Sequence, residues 1–229
     1  MKKAGILGGM GPQATVYFYA RFIDICNKKY DSVYPNILIN SIETWKNVSL
    51  INNRVALLSH LIEEADKLKP SVDFMAIVCN TMHIVIEELR EHVGIPVLAI
   101  HEVVCNHVFA ANKKKIGLLG TIATLENRFY QQHLHDLGIE IETADPETEH
   151  KLDNLIFHKV LKGQGNTEVE NLLTETINKF KSAGCDGVIL ACTELPLFVN
   201  PAKFDIQIFA STDILAEEVA AYIFNQHSK

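Results

Sequence analysis

The sequence has no long uninterrupted run of apolar residues. No stretch approaches the roughly 20 apolar residues that a membrane-spanning helix requires. The apolar segment near the N-terminus, residues 4–8, is too short for the hydrophobic region of a signal peptide, and no matching cleavage site follows it. We therefore expect a cytoplasmic protein that makes no contact with a membrane.

Basic residues are also few. The 21 Lys and Arg residues are outnumbered by 28 Asp and Glu residues, which gives a formal net charge of -7. The one basic run, residues 113–115, is short and fits a solvated turn before a strand. Proteins that bind nucleic acid owe much of their affinity to neutralising phosphates, so we expect no nucleic-acid partner.

The cysteines form no CxxC pair. Five cysteines are present, an odd number, so neither a disulfide framework nor a structural zinc site is indicated. The histidines show no metal-ligand spacing with a cysteine or carboxylate, which leaves the sequence without a predicted metal site. Cys26, Cys105 and Cys185 are interpreted as small core residues.

The chain instead contains a repeat. The segment 3–8 (KAGILG) returns as 115–120 (KIGLLG), displaced by 112 positions when the first glycines are matched. The segment 73–81 (DFMAIVCNT) returns as 186–194 (DGVILACTE), displaced by 113 positions when the cysteines are matched. A weaker third match relates 95–102 to 205–213. Three matches in order at nearly constant offset favour a duplicated unit.

Apolar runs alternate with segments of helical periodicity throughout the chain. This pattern is typical of parallel sheets covered by helices on both faces. We predict an α/β protein of two pseudo-symmetric doubly wound domains, residues 1–100 and 101–229, with an active-site cleft between them. We place the boundary between the two domains to within about 15 residues. The C-terminal segment could pack back onto the first domain. The predicted helices cover residues 13–28, 48–69, 81–92, 102–111, 124–137, 147–162, 167–183 and 212–224.

Two matched cysteines, Cys79 and Cys192, each follow an apolar strand. Ligands of parallel α/β sheets bind beyond the carboxyl ends of the strands, where helix N-termini lower the pKa of a thiol. Two equivalent thiols suit the inversion of a carbon stereocentre, because one removes a proton and the other delivers one to the opposite face. The alternative for both cysteines is a pair of buried core thiols.

The residues next to these cysteines offer hydrogen-bond donors for an anion. Asn80, Thr81 and Thr193 could hold a carboxylate and stabilise the enediolate formed beside it. The stretch 8–12 (GGMGP) could add backbone amides, although a tight turn between strand and helix explains it equally well. Glu194 either tunes the Cys192 thiol, binds an amino group or stabilises a helix N-terminus. His83 either hydrogen-bonds near the site or braces the fold.

At these residues the sequence resembles the aspartate/glutamate racemase family, which works without pyridoxal phosphate. The resemblance rests on GGMGP with Ala14-Thr15, on 79–83 (CNTMH) and on 192–194 (CTE), in the family's order and across nearly the whole chain. It implies two α/β domains, Cys79 and Cys192 as the two bases, no cofactor and a homodimer. It also implies that the substrate's α-carboxylate and amino group are held by Met10, Asn80, Thr81, Thr121 and Thr193.

The sequence departs from the family pattern in two places. Many relatives carry an arginine for the side-chain carboxylate after the second strand, where this chain reads 40–47 (NSIETWKN). Lys46 or Arg54 could replace it, and Lys162 resembles a family lysine with the same role. The second departure is Ala191, where the family commonly has glycine before the cysteine.

Several functions therefore stay open. The preferred hypothesis is racemisation of aspartate or glutamate, with an acidic amino acid as the small-molecule partner. A related isomerase or racemase of another small carboxylate, similar to maleate isomerase or hydantoin racemase, would use the same scaffold. A non-catalytic binder of acidic amino acids and a redox-sensing pair of thiols are hypotheses from other classes.

Overall fold

The computed structural model describes residues 1–224 of the 229-residue chain, and these divide into two compact units. The first unit comprises residues 1–100 together with the segment that begins at Thr212, and the second comprises residues 101–211. Each unit holds one sheet of four parallel strands. The strands are β1 Ala4–Gly8, β2 Ile37–Ser41, β3 Phe74–Ile77, β4 Val97–Leu98, β5 Lys115–Gly120, β6 Glu140–Thr143, β7 Gly187–Ala191 and β8 Gln207–Ala210.

Ten α-helices connect these strands within the described part of the chain. Short 3-10 helices cover Lys69–Ser71, Thr81–Val85, Val160–Lys162, Leu195–Phe198 and Pro201–Lys203. The α-helices are α1 Pro12–Lys29, α2 Thr44–Leu50, α3 Arg54–Leu68, α4 Ile86–Val93, α5 Ile100–Ala110, α6 Ile122–Glu126, α7 Phe129–Asp136, α8 Pro146–His158, α9 Thr167–Ser182 and α10 Ser211–Ile223. None of the helices in residues 1–224 is both long and apolar enough to span a membrane.

The sheet of the first unit has the strand order β2-β1-β3-β4. Its two central strands, β1 and β3, are buried along their whole length, whereas β2 at the edge is half exposed. Because all pairs are parallel, the carboxyl ends of the strands meet at one edge of the sheet. The register pairs Gly8 with Ser41 and Leu7 with Ile77, so the segments after β1, β2 and β3 leave the sheet side by side.

The second unit repeats this topology with the order β6-β5-β7-β8. The three matched sequence segments thus form equivalent strands: β1 and β5, β3 and β7, β4 and β8. The prediction of two pseudo-symmetric α/β halves with parallel sheets is confirmed. In this unit the register pairs Gly120 with Ala191, which puts Thr121 and Cys192 directly after neighbouring strand ends.

In each unit, the helix that follows the last strand belongs almost entirely to the other unit. Helix α5 follows β4 but belongs, from His101 onward, to the second unit, and α10 follows β8 but belongs, from Thr212 onward, to the first. Within the first unit α10 is held by packing of Tyr222 on Phe74, with ring centroids 4.4 Å apart. The Arg21 guanidinium adds an ion pair of 3.1 Å to Asp213.

Candidate active site

Cys79 lies at the carboxyl edge of the first sheet, two residues beyond the end of β3. Its side chain is 7% exposed. It belongs to the buried apolar cluster of the first unit, which also includes Met10 after β1, Ile42 after β2 and Met82 after β3. The structure thus gathers Met10 and Cys79, both predicted site residues, into one cluster with an apolar wall.

The residues after Cys79 turn sharply into a 3-10 helix. Asn80 and Thr81 are 2% and 6% exposed, and the backbone carbonyl of Asn80 accepts a hydrogen bond of 3.0 Å from the backbone N–H of His83. Buried amide and hydroxyl groups are costly unless they are hydrogen-bonded. Asn80 and Thr81 directly follow Cys79 in the chain and so lie beyond the same end of β3 as this cysteine.

The glycine-rich stretch 8–12 forms a turn whose shape is fixed by its neighbours. Gly9 has φ +88, and a Cβ atom there would lie 2.2 Å from the Ile42 carbonyl oxygen, so only glycine fits. The Gly9 N–H donates to Thr15 Oγ1 at 2.8 Å, and the Gly9 carbonyl accepts from Thr44 Oγ1 at 2.5 Å. The Gly9 amide is therefore engaged within the turn, which fits the alternative interpretation of this stretch as a tight turn between strand and helix.

Cys192 follows β7 directly and is 6% exposed. Its thiol donates to Glu194 Oε2 at 3.2 Å, and Thr193 Oγ1 donates to the same oxygen at 3.0 Å. Glu194 is itself only 2% exposed. A buried carboxylate needs such donors, and it is placed to take the proton of the thiol.

Thr121 lies beside this group at the end of β5. It is 4% exposed, and its Oγ1 caps α6 by accepting from the Thr124 N–H at 3.3 Å. The Thr121 hydroxyl also donates to Thr124 Oγ1 at 3.0 Å. Threonine at a helix N-cap is well suited to this role, which holds the hydroxyl at the same sheet edge as Cys192.

The three cations proposed for a side-chain carboxylate lie in different settings. Lys46 is exposed on α2, and Lys162 is exposed just before Gly163. Arg54 binds Glu88 Oε1 through Nε at 3.0 Å and through Nη2 at 2.5 Å, and it also binds the Ile84 carbonyl oxygen. The hydrogen bond from Arg54 holds the pKa of Glu88 below its usual range. Arg54 would have to leave this ion pair to bind a substrate.

The other three cysteines are free, buried thiols. Burial raises the pKa of Cys26, Cys105 and Cys185 above the ordinary value for a thiol. A raised pKa keeps these groups protonated and unreactive, in agreement with their interpretation as core residues. In residues 1–224 no group of three His, Cys, Asp or Glu side chains is placed to hold a metal ion.

Two threonines hold the glycine-rich turn in shape, a role that the sequence analysis did not assign to either of them. Thr15 is 7% exposed and bridges the turn by accepting from Gly9 and donating to the Gly11 carbonyl at 3.3 Å. Thr44 binds the Gly9 carbonyl from the start of α2. Thr15 lies four residues after Gly11, the usual spacing for a threonine that bonds back along a helix, but Thr44 is brought there only by the fold.

Comparison with known proteins gives one family. The profile described as Asp/Glu/Hydantoin racemase matches residues 7–219. The broad specificity amino-acid racemase RacX of Bacillus subtilis (strain 168) is 31% identical over 228 residues, which cover 97% of this chain and 99% of the relative.

Solved structures agree with this match. An aspartate racemase homologue from Pyrococcus horikoshii OT3 is similar with a TM-score of 0.81 and 29% identity, over 96% of this chain and 100% of the other. The Picrophilus torridus aspartate racemase is similar in fold, with a TM-score of 0.82 and 21% identity, over 100% of this chain and 96% of the other.

Proposed function

The chain belongs to the Asp/Glu/hydantoin racemase family and is an amino-acid racemase, and we propose that it inverts the α-carbon with Cys79 and Cys192 as the two bases. The observation that carries the proposal is the duplication. Two cysteines stand at equivalent strand ends of two equivalent sheets, each followed by buried polar residues. A reaction that needs one acid and one base of equal kind matches this arrangement.

In the proposed reaction one cysteine, as thiolate, removes the α-proton of the substrate. The C–H electron pair moves into an enediolate on the α-carboxylate, and the other cysteine, as thiol, gives its proton to the opposite face of the carbon. The first cysteine ends as thiol and the second as thiolate, so the enzyme is then poised for the opposite hand. Proton exchange with water restores the starting form, and no cofactor takes part.

Polar residues at the two sheet edges would bind the reacting end of the substrate. Asn80 and Thr81 in the first unit, and Thr121 and Thr193 in the second, supply amide and hydroxyl groups for the α-carboxylate and amino group. Donors aimed at the enediolate lower the barrier most where water is excluded. All four side chains are buried, between 1% and 6% exposed. Met10 would line the same site with an apolar surface.

Glu194 is a hydrogen-bond partner of the second cysteine, Cys192. Its carboxylate is in contact with the Cys192 thiol, so it is placed to accept the Cys192 proton and to return it. For the substrate hand on which Cys192 acts as base, Glu194 is placed to accept the thiol proton first. For the other hand, Cys192 gives its proton to the α-carbon.

For the substrate we propose aspartate or glutamate, with Lys46 or Lys162 as the cation for the side-chain carboxylate. A second candidate is an amino acid with an uncharged side chain. Two observations favour it: Arg54 is engaged with Glu88, and Cys79 belongs to a buried apolar cluster that also contains Met10, Ile42 and Met82. The relative RacX, whose name describes broad specificity, is compatible with either substrate.

The reaction is tested in deuterated water with L-aspartate, L-glutamate and uncharged amino acids such as L-methionine. Racemisation should put deuterium at the α-carbon of at least one of them and produce the D-form. Exchange with methionine but not with the acids would favour the second candidate, and no exchange with any amino acid would contradict the proposal.

Single Cys79→Ser and Cys192→Ser variants test the two-base mechanism. Each should abolish inversion, whereas thermal stabilisation by the substrate should persist because the binding groups remain. If the protein only binds acidic amino acids, they should raise the melting temperature of the wild type without being inverted. Full turnover in both variants would contradict the mechanism.

Two further proposals concern assembly and location, the first implied by the family resemblance and the second expected from the sequence. We expect a homodimer, which light scattering of the purified protein would show, and a cytoplasmic location, which fractionation of cells would show. A monomer at micromolar concentration would contradict the first, and recovery outside the cytoplasm would contradict the second.

A further inference from the structure

His83 is buried, with 2% of its surface exposed, and both of its ring nitrogens bind the backbone. Nδ1 lies 2.8 Å from the Cys79 carbonyl oxygen, and Nε2 lies 3.0 Å from the backbone nitrogen of Ile100. The imidazole thus joins the residue that carries the proposed base to the first residue of α5. Sequence separations of 4 and 17 residues mean that only the second bond depends on the tertiary fold.

The two partners fix the protonation state of the ring. A carbonyl oxygen only accepts hydrogen bonds, so Nδ1 must carry the hydrogen. A backbone N–H only donates, so Nε2 must be bare. The arrangement therefore requires the neutral Nδ1–H tautomer, since a proton on Nε2 would face the Ile100 N–H.

The two hydrogen bonds of His83 lie just beyond the point where the pairing of β3 with β4 ends. The ladder between β3 and β4 consists of Met75 with Val97 and Ala76 with Leu98, and it ends there. Continuing in the same register would bring residue 78 opposite residue 100. Beyond the ladder, the His83 ring connects residue 79 to residue 100 by two hydrogen bonds in place of strand pairing.

We propose that His83 is a positioning residue for Cys79. By holding the Cys79 carbonyl, it fixes the peptide plane between Cys79 and Asn80, and with it the direction of the thiol and of the Asn80 amide. This proposal rests on the proposed function only for the role of the Cys79 thiol as a base. That the ring orients the end of β3 against the start of α5 is independent of the reaction.

Three substitutions separate the two hydrogen bonds. His83→Asn puts an amide N–H near the place of Nδ1 and retains the bond to Cys79, whereas His83→Gln puts an oxygen near the place of Nε2 and retains the bond to Ile100. His83→Phe fills the volume and removes both. A matched control is His60→Phe on α3 in the same unit, since His60 is also buried, at 5% exposure, and neither ring nitrogen has a hydrogen-bond partner.

For racemisation we expect kcat to fall between about tenfold and about a hundredfold in His83→Phe, the range for a displaced catalytic group, with little change in KM. His83→Asn should recover most of kcat and His83→Gln little of it. His60→Phe should keep kcat within about twofold, since the His60 ring makes no hydrogen bond to a group of the site. Equal losses of kcat in His83→Asn and His83→Gln that follow their melting temperatures would overturn the proposal.

A second readout needs no turnover and is available if the activity is absent or a variant is poorly stable. The rates at which iodoacetamide alkylates Cys79 and Cys192 are measured on the same sample by mass spectrometry. Loss of a hydrogen bond should raise the opening of the Cys79 segment, and hence its alkylation, about fivefold. The Cys192 rate, in the second unit, should change less than about twofold.

The two readouts distinguish the failure of this inference from failure of the proposed function. Faster alkylation of Cys79 alone, without any racemisation in the wild type, would support the positioning role and contradict the two-base reaction. Equal changes at Cys79 and Cys192, or no change at Cys79, would overturn the positioning role whatever the activity is.

Discussion

The contact between Cys192 and Glu194 leads to the sharpest prediction. Replacing Glu194 by Gln leaves the size of the side chain nearly unchanged but removes the carboxylate that accepts from the Cys192 thiol at 3.2 Å and from Thr193 Oγ1 at 3.0 Å. A hydrogen bond to a charged group contributes about 1.5–3 kcal/mol. If that contribution is made in the transition state, kcat should fall by about 10- to 150-fold.

The assay measures the rate of inversion from both enantiomers at saturating substrate, together with the melting temperature of each variant. Glu140→Gln serves as the control, because Glu140 is an exposed carboxylate in the same unit. It should leave kcat within about twofold, as is usual for surface positions. Glu194→Gln should lose kcat while KM and the melting temperature change little.

The opposite result would be equally informative. If Glu194→Gln retains the wild-type kcat, the carboxylate takes no part in moving the Cys192 proton. If KM rises while kcat is unchanged, Glu194 binds the substrate, for example at its amino group, in both ground state and transition state. Either outcome would refute the proton-accepting role argued for Glu194.

Three further predictions concern the first unit. Gly9→Ala should lower the free energy of unfolding by at least about 1 kcal/mol in urea titration, because of its positive φ and the contact of a Cβ atom with the Ile42 carbonyl. Glu64 is desolvated by burial, which raises its pKa, but hydrogen bonds from Lys67 and from Asn40 Nδ2 at 2.8 Å outweigh this and lower the pKa overall. This stabilisation is therefore present above the unfolded pKa and lost as the pH falls through the folded pKa, so Asn40→Ala should destabilise the protein more at pH 7 than at pH 3 in urea titrations. If Lys46 binds a side-chain carboxylate, Lys46→Met should raise KM for aspartate about tenfold and leave KM for methionine unchanged, and equal KM values would exclude that role.

The sequence predicted the buried strands better than the edge strands. β1, β3, β5 and β7 are apolar and buried nearly throughout, so their repeat was visible by inspection. β2 and β6 were not delimited. The latter reads Glu140–Thr143 and has no buried residue, because a strand at a sheet edge needs little apolar surface.

The helices predicted over 48–69 and 124–137 are each interrupted in the structure for local reasons. The helix predicted over 48–69 breaks before Arg54, since the Asn53 side chain caps α3 by accepting from the Ala56 N–H at 3.1 Å. The helix predicted over 124–137 breaks at Arg128, whose φ is +58. Asparagine is a recognisable capping signal, whereas nothing in the sequence indicates a left-handed arginine.

Whether a contact of the candidate site could be predicted depends on how far apart its two residues lie in the sequence. The bond between Cys192 and Glu194 spans two residues, and Glu194 was expected to tune this thiol or to serve other roles. The ion pair of Arg54 with Glu88 spans 34 residues and depends on the packing of α3 against α4. Because this ion pair is not visible in the sequence, Arg54 was proposed as a ligand for a substrate carboxylate. Local polar contacts are therefore accessible from sequence, and the availability of a distant cation is not.

The duplication gives the two halves one topology but different chemistry around their cysteines. Asn80 and Thr81 follow Cys79, whereas the matched positions after Cys192 hold Thr193 and Glu194. The two hands of an amino acid are equal in free energy, so kcat/KM must be the same in both directions whatever the residues are. Any difference between the two cysteines must therefore appear as kcat and KM values that differ between the two enantiomers by the same factor. In the proposed mechanism, the Glu194 carboxylate beside the Cys192 thiol is a physical source of that difference.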